Sequence, residues 1–194
     1  MKAVLASSNA GKVREFAALL AARDIEVVAQ SDFRIVTPPE TGTTFLENAL
    51  LKARHAAQAS GLPALADDSG IEVDALGGRP GVRSARYAGE LASDTDNLNL
   101  LLQELAQVPQ ERRTARYRCV LVWLRSPVDP HPVMAHGVWE GRVLTAPRGT
   151  GGFGYDAIFQ PAGFTLSAAE LPAARKNTLS HRAQALRALL AALP

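Results

Sequence analysis

Two long stretches in the second half of the chain, residues 115–125 and 133–144, restrict the fold more than any other feature. Both read as strands, and the link between them is short and carries Pro127, Pro130 and Pro132. A parallel crossover needs a dozen or more residues and usually a helix, so so short a link makes these strands pair antiparallel. The N-terminal end demands the opposite geometry. Residues 2–6 form a short apolar strand, and Asn9 offers an N-cap. Val13, Phe16, Ala17 and Leu20 then recur at helical spacing to about Ala22, before a second strand over 25–29. Strand, helix and strand in that order open an α/β domain. The expected fold class is therefore α/β, with a mixed, partly antiparallel sheet flanked by helices.

Further punctuation follows the same scheme. Pro38 and Pro39 break the chain ahead of Glu40, Thr41 and Gly42. Thr44 and Glu47 have capping-box spacing, and the helix they start carries Leu46, Ala49, Leu50, Ala53 and Ala57 on one face, ending near Gly61. Residues 62–66 and 71–75 read as extended segments on either side of a turn. A loop begins at Gly77-Gly78-Arg79-Pro80-Gly81 and runs to about Gly89, after which Ser93 caps a helix bearing Leu98, Leu101, Leu102 and Leu105. A last helix opens near Ser180 and carries Leu186, Leu189, Leu190 and Leu193 on one stripe.

Composition removes several classes of function. With 194 residues, 47% of them hydrophobic, the chain can fill one core, or one domain of two lobes. Its 21 Lys and Arg against 19 Asp and Glu are scattered, which argues against a nucleic-acid coat. The single cysteine, Cys119, cannot form an intrachain disulfide and lies in an apolar run as a buried thiol. No apolar stretch is long enough to span a bilayer and no secretory leader is evident, so the expected location is cytoplasmic, without a membrane partner.

The chemistry starts at Ala66-Asp67-Asp68-Ser69-Gly70. Adjacent carboxylates repel, and a cap or turn accounts for one Asp but rarely two; a cation in front of them, or a reaction needing a base, accounts for both. Glu40, on its stiff loop, is a second candidate for the same cation. Magnesium fits, because it is commonly bound by one or two carboxylates together with phosphate oxygens and water. Between the first strand and first helix, Ser7-Ser8-Asn9-Ala10-Gly11-Lys12 combines small residues, backbone N–H groups at a helix start and a lysine, which together make a phosphate cradle without being a Walker loop. Lys52 becomes a phosphate clamp if its face turns inward; otherwise it snorkels at the surface. Gly151-Gly152-Phe153-Gly154-Tyr155-Asp156 supplies close backbone approach and a ring on which a base can stack. Ser180-His181-Arg182 supplies donors that suit a purine with a 6-keto oxygen and conflict with the amino group of adenine. His55, His131 and His136 show no zinc-ligand spacing, and no nucleophile elbow is present.

Taken in order, these clusters resemble the inosine/xanthosine triphosphate pyrophosphatase family, also called Ham1-like. The shared motifs run from Ser8-Asn9-Ala10-Gly11-Lys12 through Glu40-Thr41-Gly42, Asp67-Asp68-Ser69-Gly70, Gly77-Gly78 and Gly151-Gly152-Phe153 to Ser180-His181-Arg182. The resemblance implies one two-lobed domain over 1–194, with an elongated sheet, a central cleft and assembly as a homodimer. It implies Mg²⁺-dependent hydrolysis of ITP, dITP and XTP to the monophosphate and pyrophosphate, which cleanses the nucleotide pool. By the same resemblance Asp68 is the catalytic acid and, with Glu40, a metal ligand. Ser7, Ser8, Asn9, Ala10, Gly11, Lys12, Lys52 and Lys176 contact the triphosphate. Ser69, Phe153, Gly154, Tyr155, Asp156, His181 and Arg182 contact the rest of the substrate. The family more often has Thr-Gly-Asn where Ser7-Ser8-Asn9 stands here. Two other readings compete: a pyrophosphatase of modified pyrimidine triphosphates, and a nucleotide sensor without turnover.

Overall fold

Six strands appear in chain order as β1 (Lys2–Leu5), β2 (Glu26–Ala29), β3 (Ala64–Val73), β4 (Thr114–Leu124), β5 (Val133–Val143) and β6 (Phe159–Pro161), in a computed structural model that describes residues 1–7, 12–13, 16–17 and 20–193. They form one open sheet in the order β2-β1-β3-β4-β5-β6. β1 pairs parallel with β2, Val4 opposite Val28, and parallel with β3, Val4 opposite Ala64; β5 pairs antiparallel with β6, Val143 opposite Phe159. The sheet is therefore mixed, as the short link and the strand–helix–strand opening required. β1 is buried on both faces at Ala3, Val4 and Leu5, which suits an interior parallel strand.

Helices flank the sheet. Among the described residues of the first helical stretch, Lys12, Val13, Phe16, Ala17 and Leu20 are helical, and Phe16 and Leu20 are fully buried. Helix α1 (Phe45–Ser60) opens on the expected capping box, with Thr44 and Glu47 each satisfying the other's backbone N–H, and stops at left-handed Gly61. Such a cap contributes about 1 kcal/mol. Helix α2 (Asp94–Glu104) repeats the device with Ser93 and Asp96. Helices α3 (Ala173–Leu179) and α4 (His181–Ala192) follow one another, and the Ser180 hydroxyl between them accepts the Ala183 N–H at 3.2 Å. No described helix is long and apolar enough to cross a membrane.

The chain divides into two compact units. The first comprises Met1–Asp68, Cys119–His136 and Ala185–Pro194; the second comprises Ser69–Arg118 and Gly137–Gln184. Each has its own core. Leu5, Phe16, Leu65, Leu121, Trp123 and Leu186 are buried together in the first, and Ile71, Leu101, Tyr117, Trp139, Ile158 and Phe159 in the second. Burial of each large apolar side chain contributes about 1.5–3 kcal/mol.

Two expectations need correction, and two elements are additional. The double acid does not sit in a turn: β3 runs through it without a break, because successive strand residues point to opposite faces and the two carboxylates need not meet. The inward face of α1 is rotated from the one its leucines suggested. Asn48, Ala49, Lys52, Ala53, Ala56 and Ala57 are buried, whereas Leu46 and Leu50 are half-buried. Polar Asn48 and Lys52 lie on the buried stripe and so blur its apolar period. β6 and α3 carry no apolar periodicity of their own and were not anticipated.

Candidate functional site

In the first unit, β3 delivers two acids and α1 delivers the groups that meet one of them. Asp67, 1% exposed, accepts a hydrogen bond from Lys12 Nζ at 2.7 Å. Asp68, next along the strand, accepts from Lys52 Nζ on Oδ1 at 2.8 Å and from Asn48 Nδ2 on Oδ2 at 3.3 Å. Asn48 and Lys52 stand one helical turn apart, so they present to the same neighbour. Lys52 also donates to Glu40 Oε1 at 2.8 Å, joining the two carboxylates through one buried ammonium. Glu40 and Asp68, far apart in sequence, are thus brought together, and Lys52 is an interior group rather than a snorkelling one. Gly42 closes the arrangement by donating its N–H to Asn48 Oδ1 at 2.8 Å. A side chain at position 42 would place its Cβ 2.6 Å from that of Glu47 and 2.7 Å from Asn48 Oδ1, so only glycine lets this loop lie against the helix.

The electrostatics follow from burial. Loss of solvent pushes the Asp68 carboxyl up to about 6; the negative charge of Glu40 adds to the shift, and Lys52 and Asn48 oppose it. Burial pulls the Lys52 ammonium down, but the charges of Asp68, Asp67 and Glu40 outweigh it and hold the group above its ordinary value. A carboxyl reluctant to ionise beside a second carboxylate is stabilised by any further cation that reaches it. Hard oxygen donors of this kind suit Mg²⁺. Among the described residues no three His, Cys, Asp or Glu side chains cluster as a ready-made metal cage. A magnesium ion here would be held by Glu40 and Asp68, with substrate oxygens and water completing its shell.

In the second unit a different cluster surrounds Phe153. Phe153 is 53% exposed, with Lys176 Nζ 5.0 Å and Arg182 Cζ 5.7 Å from its ring centroid, both within cation–π range. Buried Asp156 accepts from the Lys176 ammonium, from the Phe153 N–H at 2.9 Å and from the Tyr117 hydroxyl at 3.4 Å. Gly152, at φ 75°, has the Asp156 carboxylate where a Cβ would be, so the turn needs glycine both for its backbone angle and for space. The Tyr117 ring stacks on His181 at 4.6 Å and 7° between planes. His181 and Arg182 are both buried at the start of α4.

Other expected site residues fall as follows. Tyr155 lies in the core and donates its hydroxyl to the Ser84 carbonyl at 2.8 Å, so its phenol supports the turn from behind. Gly154 donates its N–H to Asp94 Oδ2 at 2.8 Å. Lys176, expected at the triphosphate, stands with the aromatic group. Ser7 and Ser69 are half-buried. Ser8, Asn9, Ala10 and Gly11 lie outside the described residues. Sequence reasoning assigned no role to Asn48 or Tyr117. Asn48 was visible as a buried-type polar residue four positions before Lys52; Tyr117 carried no signal beyond strand alternation.

Comparison with known proteins gives one answer. The sequence profile of the Ham1 family matches residues 3–192. A dITP/XTP pyrophosphatase of Vibrio cholerae is 57% identical over 192 residues, covering 99% of this chain and 96% of the relative. One from Shigella flexneri is 56% identical, covering 99% and 98%. The solved structure of a HAM1 protein from Coxiella burnetii superimposes with a TM-score of 0.94 at 45% identity, covering 99% of this chain and 98% of that one.

Proposed function

The chain belongs to the Ham1 family, and from that premise we propose that it hydrolyses the non-canonical purine triphosphates ITP, dITP and XTP to the monophosphate and pyrophosphate, with Mg²⁺. The observation that carries this reading is the pair of carboxylates, half-buried Glu40 and buried Asp68, each 2.8 Å from one ammonium. Two acids from distant segments, held this close and short of positive charge, suit a divalent ion. Such an ion, when bound, neutralises phosphate oxygens and lowers the barrier to displacement. Asp68 orients the attacking water or accepts its proton, and the bond between the α-phosphorus and its bridging oxygen breaks as pyrophosphate leaves. Lys12 and Lys52 offset the charge that develops on the leaving group.

The base belongs with the second cluster. Phe153 offers an exposed face for stacking, and His181 and Arg182 supply donors that favour a 6-keto purine over adenine. The names of the relatives support this substrate class. The same reading carries a homodimer, checked by light scattering, and a cytoplasmic location without membrane or nucleic-acid partners, checked by fractionation.

The test is a panel of ITP, XTP, dITP, GTP and ATP with and without Mg²⁺, with products separated by ion exchange. The expected result is monophosphate plus pyrophosphate from the first three, and little from ATP. Stepwise orthophosphate release, equal turnover of ATP, or an Asp68→Asn variant as active as wild type would each defeat the reading.

A further inference from the structure

We propose that Asn48 is a positioning residue whose carboxamide holds the Glu40–Gly42 loop and Asp68 in a fixed relation, so that two acids from separate segments form one cation site. This deepens the reading above and rests on it for the identity of the cation. The geometry is a double bridge. Asn48 and Lys52, one turn apart on α1, each reach both the loop and the strand. Lys52 donates to Glu40 Oε1 and Asp68 Oδ1 at 2.8 Å each; Asn48 accepts from the Gly42 N–H at 2.8 Å and donates to Asp68 Oδ2 at 3.3 Å. The two links differ in kind. The ammonium holds its carboxylates by charge, so a competing cation can replace it. The carboxamide is neutral, and a cation arriving at the carboxylates leaves its link to the Gly42 backbone intact.

Burial makes this clasp specific. Asn48 is fully buried, and of the standard side chains of its size only a carboxamide carries a permanent acceptor and a permanent donor on two separate atoms, one for each side of the clasp. Leucine matches its heavy-atom branching and supplies neither. On the loop side Gly42 leaves no room for a Cβ beside Asn48 Oδ1. The loop is therefore fixed from the helix below it, and Glu40, two residues before Gly42, inherits that placement.

The experiment has a readout independent of turnover. In Asn48→Leu, hydrogen exchange of the Gly42 amide is expected to accelerate about ten-fold or more while amides of β1 and of the α1 interior keep their wild-type rates. Mg²⁺ affinity by calorimetry is expected to weaken about 10–100-fold, the range seen when groups that orient metal ligands are removed. Asn48→Gln, which keeps a carboxamide on a longer stem, recovers part of both. If Asn48→Leu does not fold, Gly42→Ala breaks the clasp from the loop side and is expected to give the same two changes. A folded variant with wild-type Gly42 exchange, or with wild-type Mg²⁺ affinity, overturns the proposal. So does a wild-type protein that binds no Mg²⁺. A wild-type protein that binds Mg²⁺ and shows the clasp in exchange, yet makes no monophosphate from ITP or XTP, overturns the assigned reaction and upholds the positioning role.

Discussion

Three carboxylates in the first unit, Glu40, Asp67 and Asp68, are paired with the ammonium groups of Lys12 and Lys52, whereas in the second unit the carboxylate of Asp156 meets Lys176, and Arg182 stands beside the same aromatic ring. One cluster carries an excess of negative charge and the other an excess of positive charge. Their surroundings differ in the same sense. Asp68 and Lys52 are almost wholly removed from water, while Phe153 is exposed. A buried acid surplus asks for a small, hard cation. An exposed ring flanked by cations asks for a flat, electron-rich partner bearing acceptors. The two units thus carry clusters of opposite kind: buried charge pairs in one, an exposed aromatic face with nearby cations in the other.

The sharpest way to break this division is to remove one charge. Asp68→Asn is expected to lower kcat/KM for ITP by about 10²–10⁴-fold, the span associated with loss of a positioned acid–base group, with an unchanged circular dichroism spectrum. Stopped-assay pyrophosphate release measures it. Phe153→Ala should instead raise KM about ten-fold with a smaller change in kcat, because stacking on one base contributes about 1–3 kcal/mol to binding. If Phe153→Ala lowers kcat as severely as Asp68→Asn, the two clusters do not have separate duties.

Two pH experiments sharpen the contrast within the first unit. Asp68, ordinarily near 3.8, is pushed up to about 6, so the folded protein holds this proton more tightly than the unfolded chain. The stability it contributes is therefore complete at low pH and is lost as pH rises through about 6, where Mg²⁺, held as proposed, is expected to restore it. The rise in melting temperature on adding Mg²⁺ should be small near pH 5 and larger near pH 7.5, measured by scanning calorimetry. Asp129 is the opposite case. It accepts from Arg125 Nε, Arg125 Nη2 and the His131 N–H, and those partners hold its carboxyl far below the ordinary 3.8. Its stabilisation is present above the ordinary value and lost as pH falls. Asp129→Asn should lower the melting temperature by a few degrees near pH 7, with the gap closing as pH falls below about 4. A gap that widens in acid would show that the Arg125 pairing does not matter to the fold.

Much of the architecture was legible because it rests on local rules. The capping boxes at Thr44 and Ser93, the glycine stop at Gly61 and the short proline-bearing link before β5 each act over a few residues, and each recurs in the structure where the sequence placed it. The site was legible as a set of residue types but not as a set of contacts. Nothing in the order of residues reveals that Lys52 faces inward, that Asp67 and Asp68 point to opposite sides of an unbroken strand, or that Lys176 belongs with Phe153.

The amino-acid sequence by itself determined the element types, the mixed character of the sheet, and the presence of two acid-bearing segments, a glycine-rich aromatic turn and a helix start rich in donors. Those follow from backbone torsion preferences and the period of apolar residues, which are local quantities. Only the tertiary structure decided which lysine meets which carboxylate, and that Asn48 joins the Glu40–Gly42 loop to Asp68. Such pairings depend on the rotation of α1 and on desolvation at its buried face, which arise only once helix and sheet have packed.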